Sequence, residues 1–325
     1  MQKFHFITHD ITDARFNIAS EEYLLRQKQD YYIYIWVNAP AVIVGVNQNA
    51  IEEVNLDYTN SHGINVVRRI TGGGAVYHDK GNICYTVIAP YDSEQDNYKK
   101  FTEPVIKYLN SLGVNATFSG RNDITIDGKK ISGNAQTVFK DRIMHHGTLL
   151  FDTDSQVLTS ALKPNKLKMQ SKGIKSIRAR VTNIRECLPN DLTAKEFKDG
   201  LCKELSKDCI TYKFTQEDLD AINQLITQKY NTYEWNIGKS PRGKNVFEKK
   251  FDFGVISITF DTEQGVMQNV NIHGDFFTKK DLNELAQKLN GTRFERNAVV
   301  KKLFDIDEYI VGANVEQIVN ALFES

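Results

Sequence analysis

The chain has 325 residues, 41% of them hydrophobic, with 41 Lys+Arg against 41 Asp+Glu. That length is too great for one ordinary core and predicts two domains, and the balanced charge argues for neither a nucleic-acid nor a membrane partner. No run of about 18 apolar residues offers a membrane span, no secretory core is visible in MQKFHFITHD, and Cys84, Cys187, Cys202 and Cys209 lack CxxC spacing, so a reduced cytoplasmic protein is expected.

Residues 14–29 carry Phe16, Ile18, Ala19, Tyr23 and Leu24 at helical spacing, with Asp13 in the N-cap position. Two β-rich runs, YYIYIWV (31–37) and AVIVGVNQ (41–48), flank an Asn-Ala-Pro turn and predict a hairpin. A helix over roughly 51–60 ends near His62-Gly63, and INVVRRI (64–70) reads as a strand.

Residues 66–82, VVRRITGGGAVYHDKGN, are the stretch the chain is organised around. Gly72, Gly73 and Gly74 lack Cβ atoms, so their backbone can approach a ligand closely, and bare amides there can form an anion-binding concavity. Arg68 and Arg69 add positive charge beside it. The stretch is neither GxxxxGK[ST] nor GxGxxG, and it runs into AVY and NICYTVIAP, which are strand material rather than helix. The loop is therefore expected between two strands, wrapping a ligand with backbone.

A helix over 97–112 ends at Gly113, and a strand follows at 114–118. Asp127-Gly128 between ITI and KKI favours a type I′ turn, which makes 123–134 a hairpin. TVF, Arg142-Ile143-Met144 and GTLLF continue the strands, and helices are predicted at 155–162, 193–207 and 216–228. Breakers near Ser240-Pro241-Arg242-Gly243-Lys244 mark a linker. Beyond it, strands at 253–260 and 265–274 flank a turn at Thr262-Glu263-Gln264, and helices follow at 279–289, 295–304 and 315–324. The expected fold is α/β of the α+β kind. A mixed, largely antiparallel sheet with flanking helices fills residues 1–243, and a small α+β accessory domain without a chemistry-bearing cluster fills 244–325.

Lys129 and Lys130 follow the hairpin turn and point to opposite faces, so one of them can reach across a site. His78, at a strand start, is read as shaping a pocket rather than acting as a base. His145 and His146 are adjacent on a strand and cannot easily share a metal ion; a structural or tunnel-lining role is expected. Asp123 opens the hairpin, where an Asn-Asp pair can simply cap the turn. Residues 155–185 contain eight basic side chains and no acid (Lys163, Lys166, Lys168, Lys172, Lys175, Arg178, Arg180 and Arg185), which suits phosphate binding or an acidic partner.

RRITGGGAVYHD (68–79) resembles the signature of the lipoate–protein ligases of the biotin/lipoate ligase superfamily. GRNDITIDGKKISGNAQ (120–136), HHGTLLF (145–151) and KGIKSIRARVTNI (172–184) match further blocks of that family, in the family's order. The resemblance implies ATP-dependent activation of lipoate to lipoyl-AMP, with release of pyrophosphate. Transfer to a lysine of an acceptor follows, either a lipoyl domain of a 2-oxoacid dehydrogenase E2 subunit or the glycine-cleavage H protein. Its KxSGxA pattern falls on Lys130, Ser132, Gly133 and Ala135, and makes Lys130 the residue that contacts both the lipoate carboxyl and the α-phosphate. It places Arg69, Thr71, Gly72, Gly73, Gly74, Ala75, Val76 and Tyr77 around the adenylate, with Thr71 standing where many relatives carry Ser. Lys172 and Arg180 would fold over the intermediate, with Gly173 as a hinge. Val44, Gly45, Gly73, Val76 and His146 would line the lipoate tunnel, and Asp123 would serve Mg²⁺. A cysteine-dependent octanoyl or lipoyl transferase and a non-catalytic lipoate-binding protein are the competing readings.

Overall fold

The computed structural model describes residues 3–163, 181–238, 245–263 and 265–323. Its first strands are β1 His5–Thr8, β2 Tyr32–Val37, β3 Ala41–Val44, β4 Asn65–Arg68, β5 Val76–His78, β6 Asn82–Pro90 and β7 Ala116–Ser119. They continue as β8 Asp123–Ile126, β9 Lys129–Phe139, β10 Arg142–Leu150, β11 Ile210–Thr211, β12 Asn245–Phe251, β13 Gly254–Glu263 and β14 Val266–Gly274. The main sheet runs β11-β1-β2-β6-β10-β9-β8-β7. β1 pairs in parallel with β2 and β11, and the other ladders are antiparallel, as expected.

Alternation along β6 sends Ile83, Tyr85 and Val87 to one face and Cys84 and Ile88 to the other. The first face packs on helices Asn97–Ser111 and Ala194–Leu205 through Phe101, Val105, Leu109, Phe197 and Leu201. The second packs on helix α1, Ala14–Arg26, and on helix Gln216–Leu225. Asp13 caps α1 by accepting from Arg15 N at 2.8 Å. At its other end the Arg142 guanidinium donates to the carbonyls of Leu24 and Leu25 at 3.1 and 2.9 Å, satisfying groups that a helix end leaves unpaired. Almost all of α1 is buried, including Asn17, Ser20, Glu21 and Glu22.

The hairpin over 123–134 forms as read. Asp127 and Gly128 both take positive φ, +49° and +78°, which a type I′ turn requires. The hairpin predicted over 31–48 does not form. β2 enters the main sheet between β1 and β6, while β3 joins a separate sheet of order β4-β3-β5. The four residues of β3 are all buried, so periodicity carried no information about which strand would satisfy their backbone. The single helix expected over 51–60 is two, Ala50–Glu53 and Leu56–Ser61, because Val54 is extended, bridges to Leu162, and lets Asn55 cap anew. The linker proposed over 240–244 lies outside the described residues.

Beyond it, β12-β13-β14 form an antiparallel sheet over helices Leu282–Leu289, Arg296–Leu303 and Val315–Phe323, sharing one core. β12 was not predicted, because three of the seven residues in NVFEKKF are charged and break the apolar alternation of a strand. No helix among the described residues is long and apolar enough to cross a membrane.

Candidate functional site

The glycine loop joins β4 to β5, two strands, as its sequence context predicted. Successive residues at the end of a strand point opposite ways, and this separates the two arginines. Arg68 is fully buried, and its guanidinium donates to the carbonyls of Gly45, Gln48, Trp235 and Asn236 at 2.6–3.2 Å. It therefore staples the 45–48 turn to 235–236 and adds no charge to the cavity described below, which corrects the pairing of Arg68 with Arg69.

Arg69 turns inward and does line that cavity. Its Nη1 donates to Ile43 O at 3.1 Å, and its Nη2 to Gly72 O and Gly74 O at 2.7 and 2.9 Å. Its Nε donates to Thr71 Oγ1 at 2.9 Å. In a trans peptide the N–H is directed opposite to its C=O, so drawing in these two carbonyls turns the amides of Gly73 and Ala75 away from the guanidinium. Gly73 takes φ +92°, which the absence of a Cβ permits. Its amide donates to the Phe276 carbonyl at 3.4 Å, so the C-terminal unit closes directly on the loop. Burial lowers the Arg69 guanidinium to about 10, still a cation at neutral pH.

A cavity of about 450 Å³ opens against the loop. Gly73, Gly74, Ala75 and Val76 form one side of it. Ile18, Trp36, Ile43 and Cys84, from α1 and the strands, form an apolar wall. Arg121, Asp123 and Lys130 bring charge from the β8–β9 hairpin and the turn before it. Lys130 Nζ lies 2.7 Å from Asp123 Oδ1, and its backbone carbonyl accepts from Thr182 N at 3.0 Å. β9 slips register by one residue against β8 between Ile124 and Thr125. Lys129 is exposed, while Lys130 faces the cavity.

The two histidines of HHG part as the alternation required. His146 reaches the cavity, with Nε2 2.8 Å from Thr71 Oγ1 and Nδ1 2.9 Å from Glu21 Oε1. His145 lies on the opposite face between Gln136 and Tyr85 and is held neutral by burial, down to about 3. His78 lines the cavity and is likewise lowered to about 3, by burial and then by the charge of Arg69. It accepts from Asn38 Nδ2 at 3.1 Å and sits 3.6 Å from Cys84 Sγ. A neutral ring with these contacts shapes a wall. Burial also pushes the Cys84 thiol well above 9. Among the described residues no group of three or more His, Cys, Asp or Glu side chains stands ready for a metal.

Of the residues singled out from sequence, Arg69, Gly73, Gly74, Ala75, Val76, His78, Asp123, Lys130, Gly133, Ala135 and His146 meet in this cavity. Thr71 and Gly72 stand behind it in the loop's own hydrogen bonds. Val44 and Tyr77 belong to a separate core cluster, and the Gly45 carbonyl accepts from Arg68. Lys172, Gly173 and Arg180 lie outside the described residues. Sequence reasoning missed Glu21, Trp36, Arg121, Asn134, Asp275 and Phe277. Glu21 left one trace, a charged residue on the buried side of an apolar helix. Asp275 and Phe277 left none, because they arrive from the unit judged to carry no chemistry.

The family described as lipoyl protein ligase A/B catalytic domain matches residues 13–206, and that described as bacterial lipoate protein ligase C-terminus matches 240–322. The chain is 43% identical over 302 residues to lipoate-protein ligase LplJ of Bacillus subtilis, covering 90% of this chain and 91% of that one. It is also 43% identical over 314 residues to lipoate–protein ligase 1 of Staphylococcus aureus, covering 95% and 96%. Among solved structures it resembles Plasmodium falciparum LipL1 in complex with lipoate, with TM-score 0.80, 26% identity and coverage of 99% and 100%. A lipoate-protein ligase A bound with ATP aligns at TM-score 0.64 and 28% identity, over 73% and 99% of the two chains.

Proposed function

The chain belongs to the lipoate–protein ligase family, and on that premise we propose that it activates lipoate with ATP and passes the lipoyl group to a protein lysine. The observation that carries this reading is that the Lys130 amine and the Gly73–Val76 backbone line one cavity with an apolar wall. The acyl tail packs against Ile18, Trp36 and Ile43, out of water. Its carboxylate and the α-phosphate share the Lys130 ammonium, which holds two anions together that would otherwise repel. A carboxylate oxygen attacks the α-phosphorus, and the bond to pyrophosphate breaks. The neutral amine of the acceptor lysine then attacks the acyl carbon, and AMP leaves. No protein nucleophile is required.

Mg²⁺ usually takes one or two carboxylates and completes its shell with water and substrate phosphates. Asp123, in the cavity beside Lys130, suits that role, and the ion would neutralise the departing pyrophosphate. We propose lipoyl domains of 2-oxoacid dehydrogenases and the glycine-cleavage H protein as acceptors, and the cytoplasm as the place of action, in keeping with four free cysteines. A bi-partite lipoate protein ligase of Thermoplasma acidophilum was solved as a lipoylation system with its E2 lipoyl domain, which supports an acceptor of that kind. The matches over 13–206 and 240–322 support a division into a catalytic domain, 1–243, and an accessory domain, 244–325.

Cysteine-dependent transfer needs a thiolate, and the cavity thiol, Cys84, is kept protonated by burial. One incubation with lipoate and Mg-ATP decides. Pyrophosphate and protein-bound lipoyl-AMP are expected. A thioester without pyrophosphate would establish the transferase instead, and lipoate retained without turnover would establish a passive binder.

A further inference from the structure

We propose that Glu21 is a positioning residue for the glycine loop, acting through His146 and Thr71 on Arg69. Glu21 is 1% exposed, and its carboxylate accepts from Thr86 Oγ1 at 2.5 Å and from His146 Nδ1 at 2.9 Å. His146 Nε2 meets Thr71 Oγ1 at 2.8 Å, and Thr71 Oγ1 accepts from Arg69 Nε at 2.9 Å. Arg69 then holds the carbonyls of Gly72 and Gly74. The chain of contacts runs from α1, through β10, to the cavity's backbone wall.

Donor and acceptor chemistry gives this chain a direction. The Arg69 Nε can only donate, and the Glu21 carboxylate can only accept. Whether His146 is neutral or charged, its Nδ1 therefore carries the proton given to Glu21. In the neutral ring Nε2 is bare and takes the Thr71 hydroxyl proton, leaving the oxygen to receive Arg69. A buried carboxylate and a buried guanidinium are thus joined through two bridging groups, and cutting the bridge takes one hydrogen-bond partner from the buried groups on either side of the cut. Arg69 is held in the rotamer that draws in the glycine carbonyls, and the loop amides keep their outward direction.

The test combines Glu21→Gln, Thr71→Val, Thr71→Ser and the double variant E21Q/T71V. Hydrogen exchange over residues 70–77 reads loop order without reference to catalysis. Glu21→Gln and Thr71→Val should each speed that exchange about tenfold while leaving β6 and β10 protected. Thr71→Ser, which keeps the hydroxyl, should restore loop exchange to the parent's rate. Because Glu21→Gln removes the charge and Thr71→Val the bridging hydroxyl of one chain of contacts, the double variant should exchange no faster than the worse single variant. The kinetic arm rests on the ligase reading: kcat/KM for pyrophosphate release should fall about tenfold in each single variant and no further in the double. Effects that multiply in the double variant, or a loop in either single variant as protected as the parent's, would overturn the proposal. If the parent releases no pyrophosphate, the ligase reading fails, and hydrogen exchange still decides the role of Glu21.

Discussion

Lys130 Nζ stands 2.7 Å from Asp123 Oδ1, although the ladder sets Lys130 opposite Thr125 and Asp123 opposite Gly133. The pair forms diagonally, across the register slip between β8 and β9. A side chain at position 130 can thereby hold the acid at the hairpin's root and still face the cavity.

Lys130→Ala should abolish adenylate formation, lowering pyrophosphate release by about a hundredfold or more. The side chain is 37% exposed, so stability should change by no more than about 0.5 kcal/mol. Pyrophosphate assay and thermal melting, run on one preparation, check both. Normal release from a folded variant would remove Lys130 from the mechanism.

Asp123→Asn separates the two uses of that carboxylate. If it serves Mg²⁺, the metal concentration giving half-maximal pyrophosphate release should rise several-fold. An unchanged midpoint with a lower kcat would assign Asp123 to holding Lys130 alone.

Gly147→Ala should overpack the fold beside the cavity that Gly147 and Asn134 line. A Cβ there would lie 2.1 Å from Asn134 Oδ1 and 2.5 Å from Tyr85 Cε1, and those two side chains are themselves hydrogen-bonded at 2.5 Å. Overpacking of this kind costs about 1–3 kcal/mol, which a urea midpoint would register. A midpoint equal to the parent's would mean that Asn134 and Tyr85 move freely.

Acid should destabilise the protein well before its carboxylates titrate. Burial lowers His78 and His145 to about 3, and His9 and His273 to about 4, from an ordinary 6.5. Between 6.5 and those values the unfolded chain binds protons that the folded chain refuses, so stability is full above 6.5 and falls as pH falls. Each histidine contributes up to about 1.4 kcal/mol per pH unit within that window. Urea unfolding at pH 7, 6 and 5 should show the slope, and His145→Gln should flatten it by one histidine's share. A stability independent of pH across that range would contradict the burial of these rings.

Legibility from sequence followed the range of the interactions involved. Asp127-Gly128 dictated its turn because positive φ at two successive residues is a local demand, met by few residue types. Asp13 dictated a helix start for the same reason. The failed hairpin over 31–48 shows the limit. Two buried strands satisfy their backbones with whichever partners the fold supplies, and these were not their sequence neighbours. Arg68 and Arg69 look equivalent in the string RR, and one of them ended as a staple among carbonyls.

The sequence by itself determined the glycine loop between strands, the tight β8–β9 turn, and the residue blocks that tie the chain to its family, because each depends on neighbours along the chain. Only the tertiary structure decided that Glu21 stands behind Arg69 and that Phe277, some 200 residues from the loop, lines its cavity. Those contacts join segments whose residue types are ordinary for helix and strand, so their partners are set by packing in three dimensions and leave no mark in local composition.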